Sequence, residues 1–197
     1  MRLHAIPYST NVERITLALA FKGIDCEIVM HDPADRSGIA AISGQELVPV
    51  LEDGNRVVWD SPVVLRHLER THPDPPLWPA DTARSAELDI LLAWFNRVWK
   101  RAPNAIADGE GGIAEAAELT GSLEFFEALL AGREYLFGEG FTAADCTVFP
   151  FLKYGLIYDE NDDEPFHRVL IEHLELGDSH PRLAAWIRRI DAMPRAG

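Results

Sequence analysis

Tyr8-Ser9-Thr10-Asn11 places a phenol, two hydroxyls and a carboxamide at the entrance of a helical run that continues Val12-Glu13-Arg14-Ile15. Such an entrance can hold an anion. A free thiol with pKa about 8.5 is only a few per cent thiolate at neutral pH, and bringing it to about 6.5 takes about 2.7 kcal/mol. A hydrogen bond to a charged group supplies about 1.5–3 kcal/mol and a helix N-terminus about 0.3–1, so one hydroxyl there is of the right size. Ser9 has two readings: it caps the helix, or, because Thr10 and Glu13 form a Thr-x-x-Glu capping box, its hydroxyl faces a ligand. Asn11 can donate from its amide, and Tyr8 is a third candidate or a residue packed beside the strand. None of these is Cys, which disfavours a mixed disulfide with the protein's own thiol. Cys26 and Cys146 read as small core residues.

A second constellation is Asp60-Ser61-Pro62, a helix start where Ser61 offers N–H and hydroxyl groups to a carboxylate while Asp60 can pair with an ammonium. The 7 histidines show no HExxH or paired-Cys spacing, so no metal is expected. The acidic run Asp159, Glu160, Asp162, Asp163 and Glu164 lacks the glycine and ligand spacing of a calcium loop and reads as a solvated loop.

Elements of two kinds must position these residues. Arg2–Ile6 reads as a strand ended by Pro7, Val12, Ile15 and Leu19 recur at helical spacing up to Lys22-Gly23, and Cys26, Ile28 and Met30 alternate as a second strand. Val48–Glu52 and Asn55–Trp59 flank Asp53-Gly54, a hairpin signal, and Val64, Leu65 and Leu68 line a helix after Ser61-Pro62. The order is βαβ-ββα, followed by a proline-rich linker. Beyond it, Leu88, Leu91, Leu92, Phe95, Val98, Trp99 and Ala102 predict one long helix, and Ala116, Leu119, Leu123, Phe126 and Leu130 predict its hairpin partner. Thr142-Ala-Ala-Asp145 opens a helix apolar on all sides, with Phe141 as staple, and Phe166–Leu176 and Pro181–Met193 supply two more. The expected division is residues 1–72, a linker over 73–84, and an all-helical domain over 85–197.

The chain has 197 residues, and 18 Lys+Arg against 32 Asp+Glu give a net charge of −14. Residues 1–78 hold 7 basic and 11 acidic side chains and the rest 11 and 21, so the second half is the more acidic. A surface of that sign repels phosphate backbones, which argues against a nucleic-acid partner. No apolar run approaches the ~20 residues of a membrane span, and the start lacks a signal-peptide build, so a cytoplasmic location is expected.

A βαβ-ββα unit, a proline-rich linker and an all-helical remainder resemble the glutathione S-transferase superfamily, specifically its serine-type or nu-like bacterial members. The residues carrying the resemblance are Tyr8–Asn11 with Arg14–Leu19, Val48-Pro49-Val50-Leu51, Asp60-Ser61, and the Thr142–Asp145 box. It implies a thioredoxin-like N-terminal domain and a C-terminal helical bundle. It further implies glutathione as co-substrate, a small-molecule electrophile as its partner in a detoxification-type transfer, and a homodimer. Ser9 with Asn11 would be catalytic. Tyr8, Leu47, Val48, Pro49, Asp60 and Ser61 would hold the tripeptide, Val48 through main-chain pairing beside a cis Val48-Pro49 bond. Leu47 replaces the polar residue frequent before Val48 in relatives, and Arg36 or His31 could supply the positive charge instead. The resemblance places the electrophile between the subdomains, where Phe95, Trp99, Tyr154 and Tyr158 are candidates, although helical spacing explains Phe95 and Trp99 as core. Alternative readings are glutathione-dependent disulfide reduction, suggested by Ser9-x-Asn11, cis–trans isomerisation, and a non-catalytic interaction module. Asn11 stands where the isomerase-type turn carries Cys.

Overall fold

The computed structural model describes residues 1–197 and divides into two compact units, residues 1–78 with 193–197, and residues 79–192. Of residues 73–84, the first six belong to the first unit, and a helix begins at Thr82.

In the first unit a four-stranded sheet has the order β2-β1-β3-β4. Strand β1 (Arg2–Ala5) pairs parallel with β2 (Glu27–Met30), a connection that α1 (Thr10–Phe21) spans, and antiparallel with β3 (Val50–Asp53). Strand β4 (Arg56–Trp59) closes a hairpin in which Asp53 pairs with Arg56, so the two-residue turn is Gly54-Asn55, one position later than expected. Gly54 has φ of 62°, a left-handed conformation that glycine adopts without steric cost. Because strand side chains alternate, Leu3 and Leu51 share one fully buried face while His4, Val50 and Glu52 share the other. Helix α3 (Ser61–Thr71) packs on α1. A short helix, α2 (Ser37–Ser43), escaped the sequence reading because seven residues with one buried apolar side chain, Ile39, show no periodicity.

The end of α1 is anchored by a side chain. Lys22 is wholly buried and its ammonium donates to Glu69 Oε2 at 2.7 Å, the His72 carbonyl at 2.7 Å and the Pro75 carbonyl at 2.9 Å. Glu69 in turn accepts from the Leu77 and Trp78 amides at 3.0 and 3.2 Å. The proline-rich segment is thus fastened to α1 and α3 by one ion pair.

The second unit is helical: α4 (Thr82–Trp94), α5 (Arg101–Ala107), α6 (Ile113–Leu129), α7 (Ala143–Leu152), α8 (Pro165–His173) and α9 (Pro181–Asp191). No helix is long and apolar enough to cross a membrane. All residues of α7 are buried, as its apolar sequence requires. The expected long helix is interrupted by a π-helical turn over Phe95–Trp99, where Lys100 donates to the Phe95 carbonyl at 3.2 Å. Pro103 follows directly. It has no N–H to continue the ladder, and α5 accommodates it in its first turn, where no such bond is needed.

Three buried polar groups organise this unit. Asp145 accepts from the Leu136 amide at 3.0 Å, the Thr142 amide at 2.8 Å, the Thr142 hydroxyl at 3.1 Å and the Trp186 indole at 2.8 Å. Burial pushes its carboxyl above the ordinary range, against the pull of those four donors. The acidic run is not wholly solvated: Asp162 is 1% exposed, accepts from Tyr154 at 2.7 Å and lies 2.8 Å from His167 Nδ1. Alternation of charge could not single it out, because its two partners lie on other elements.

Glu127 of α6 caps α9, accepting from the Leu183 amide at 2.8 Å and from Arg182 Nε at 2.8 Å. Burial raises its carboxyl, but the Arg182 side chain and the two amides outweigh that and hold it below the ordinary carboxylate range. A depressed pKa contributes stability above the unfolded value of about 4.3 that disappears as pH falls through the folded one. Glu127→Gln is therefore expected to cost about 1–2 kcal/mol at pH 7 and progressively less below pH 4, measured by urea denaturation across that range.

Candidate functional site

Two helix entrances of the first unit carry the sequence-flagged residues. Ser9 is itself the N-cap of α1, with its Oγ accepting from the Val12 amide at 3.3 Å and its carbonyl from the Glu13 amide at 3.0 Å. The Thr10–Glu13 capping box does not form. Thr10 is the first helical residue, and the Glu13 carboxylate pairs with Arg195 Nη2 at 3.1 Å. The physical reason is distance in sequence: a guanidinium 182 positions away cannot be read as a competitor for Glu13. Capping and ligand binding by Ser9 are nevertheless compatible, because the cap uses an oxygen lone pair and leaves the hydroxyl proton to be donated. Tyr8, just before it, adopts φ of 58° and is 44% exposed.

Asp60, not Ser61, is the N-cap of α3; it has φ of 71°, is exposed, and makes no side-chain cap bond. With Pro62 lacking an N–H, the Ser61 and Val63 amides head this helix without a capping carboxylate, a setting that favours an anion. The structure joins the two entrances. Ser61 Oγ accepts from Arg14 Nη1 at 3.1 Å and donates to Asn11 Oδ1 at 3.3 Å. Ser9, Asn11 and Ser61 thus lie in one connected region, and the Ser61 hydroxyl is already engaged on both sides, leaving its main-chain N–H as what it can offer. Arg14, 1% exposed, was missed as a site residue. Its signal was a guanidinium among Val12, Ile15, Leu17 and Ala18, where an apolar residue would be ordinary.

The Val48-Pro49 peptide is cis and directly precedes β3, so Val48 lies outside the strand ladder. Leu47 is 69% exposed, and its amide and carbonyl are both bonded by the Gln45 side chain at 2.6 and 2.9 Å. Neither expected substitute for its missing charge stands ready in the same way: His31 Nε2 is 2.9 Å from His4 Nδ1, while Arg36 Nε donates to the Pro33 carbonyl at 3.1 Å. His4 in turn is 2.8 Å from Glu52, and that hydrogen bond keeps the Glu52 carboxyl below its usual range.

The aromatic candidates divide. Phe95 and Trp99 stack at 4.5 Å and, like Tyr154, are buried, so they are core of the second unit; Tyr158 is 51% exposed. Cys146 is fully buried, but Cys26 is only half-buried and lines a cleft of about 600 Å³ with Asp25, Arg195 and Ala196. Burial raises its thiol pKa, which disfavours reactivity.

Residues 3–76 match the family model for the glutathione S-transferase N-terminal domain, and residues 114–194 match that for the C-terminal domain. The chain is 30% identical to glutathione S-transferase 3 of Zea mays over 166 residues, which is 74% of this chain and 73% of the relative. It is 28% identical over 170 residues to a maleylpyruvate isomerase of Ralstonia sp, covering 76% of this chain and 80% of the relative. Among solved structures, the Tau class glutathione S-transferase of mango, Mangifera indica, superposes with a TM-score of 0.79 at 21% identity, over 97% of this chain and 88% of that one. A thioredoxin-like sheet unit, an all-helical unit, and two family models that between them match both units lead to one conclusion: the chain belongs to the glutathione S-transferase superfamily.

Proposed function

We propose that this protein is a glutathione transferase that holds the tripeptide's sulfur as a thiolate for attack on an electrophilic small molecule. The observation that carries this reading is Ser9 at the α1 N-terminus, capping through a lone pair while its proton remains available. The Ser9 hydroxyl and the Asn11 amide donate to sulfur, and the helix terminus adds its partial positive charge. Val48 offers an unpaired main-chain edge beside Pro49. The Asp60 carboxylate suits the γ-glutamyl ammonium, and the α3 entrance its carboxylate. Tyr8 and Leu47, both exposed, would complete the contacts to the tripeptide. Sulfur attacks carbon, a C–S bond forms, and the leaving group departs with its bonding pair. Positioning and charge stabilisation suffice, and no enzyme-bound covalent intermediate is required.

The similarity to a protein named maleylpyruvate isomerase favours a second reading, in which the same thiolate adds reversibly to a conjugated double bond. Asn11 in place of the expected Cys counts against it.

Titrating the glutathione complex while following thiolate absorbance near 240 nm tests the proposal. The bound thiol is expected to ionise near pH 6.5, and Ser9→Ala to raise that midpoint by about one to two units, with kcat/KM at pH 7 falling about 10–100-fold. A complex whose thiol titrates as it does in water would remove the catalytic reading. A midpoint unmoved by Ser9→Ala but raised by Asn11→Ala would transfer the principal role to Asn11.

A further inference from the structure

The bonds joining α1 to α3 have a direction. A guanidinium can only donate, so Ser61 Oγ, 3.1 Å from Arg14 Nη1, must accept there. Its single proton is then directed to Asn11, whose Oδ1 lies 3.3 Å away. This decides which end of the Asn11 carboxamide faces Ser61: the oxygen is turned to the hydroxyl, and the Nδ2 donors point from the opposite end of the planar amide. Asn11 is the second residue of α1, two positions after the Ser9 cap.

We infer that Arg14, acting through Ser61, is a positioning residue that sets the polarity of the Asn11 amide so that its N–H groups, and not its carbonyl, are offered to a bound thiolate. The inference rests on the function proposed above and adds a component to it. In the reversed orientation the Oγ would accept from both Arg14 and the amide nitrogen, and the buried hydroxyl proton would lose its acceptor. Oδ1 lone pairs would then face the sulfur and oppose its ionisation. Water cannot readily substitute, because Arg14 and Ser61 are only 1% and 3% exposed.

The test is the midpoint of thiolate formation for bound glutathione in the wild type, Ser61→Ala, Asn11→Ala, Arg14→Met and Arg14→Lys, with affinity for S-methylglutathione, which has no ionisable thiol, as control. Ser61→Ala and Asn11→Ala are each expected to raise the midpoint by about one unit, a tenfold loss of acidity. Arg14→Met is expected to do the same, and Arg14→Lys, whose ammonium also only donates, to recover part of it. Affinity for S-methylglutathione reports tripeptide binding separately, and because each midpoint is read on the saturated complex, weaker binding by itself does not move it. If Arg14→Met does not fold, Ser61→Ala decides, since it removes one oxygen from a buried site. A folded Ser61→Ala protein with the wild-type midpoint overturns the inference, and so does a midpoint that moves in Ser61→Ala but not in Asn11→Ala. A wild-type complex with no lowered midpoint would instead remove the functional reading beneath it.

Discussion

Lys22→Met is expected to destabilise the first unit by about 3–5 kcal/mol, the range for breaking a buried ion pair from one side. The ammonium uses all three of its donors, on Glu69, the His72 carbonyl and the Pro75 carbonyl. Methionine fills the same volume and satisfies none of those acceptors. Glu69 would then be left as a largely buried carboxylate whose remaining partners are the Leu77 and Trp78 amides. Because the penalty comes from the stranded charge, the Lys22→Met, Glu69→Gln double variant should be less destabilised than the sum of the two single variants, by about 1–3 kcal/mol. Urea denaturation of the four proteins of this cycle measures it. Strict additivity would show that solvent reaches Glu69 and that the pair contributes little.

The second large effect is expected in the helical unit. Asp145→Ala removes one carboxylate that serves four donors and leaves the Leu136 amide, the Thr142 amide and the Trp186 indole without it. At about 1–3 kcal/mol for each stranded donor, a loss of about 4 kcal/mol or more follows. Asp145 is fully buried, and so is Trp186, so the space is closed to easy hydration. Faster exchange at the Leu136 amide and a red-shifted Trp186 emission would accompany the lower urea midpoint, and a loss under about 1 kcal/mol would mean that these donors find other partners. Asp145→Asn separates charge from shape. Burial raises the wild-type carboxyl, so the part of its contribution linked to that shift is present below the unfolded pKa of about 3.9 and is lost as pH rises through the higher folded value, while its oxygens go on accepting from the four donors. The advantage of wild type over Asp145→Asn should accordingly shrink as pH increases across that interval.

These two positions differ in how far the sequence revealed them. Asp145 stands three residues after Thr142, a capping-box spacing in which the relevant partners are local, and the sequence placed it at the start of a buried helix. Trp186, its indole partner, lies 41 positions away and had no local mark. Lys22 was legible only as the end of a helix, since its acceptors come from residues 69, 72 and 75.

The βαβ-ββα order apart from the short α2, the hairpin, the buried α7 and the two polar helix entrances were legible in the sequence, because each depends on periodicity or turn chemistry within a few residues. The sequence also determined the family, through motifs in the right sequence order. Which residue caps α1, where Glu13 and Asp162 direct their carboxylates, and the seating of Ser61 between Arg14 and Asn11 emerge once the chain is folded. Those outcomes depend on partners 47 to 182 residues apart for Ser61 and Glu13, and on a buried tyrosine and histidine for Asp162. A hydrogen bond acts over about 3 Å of space whatever the separation along the chain, so no local pattern can announce it.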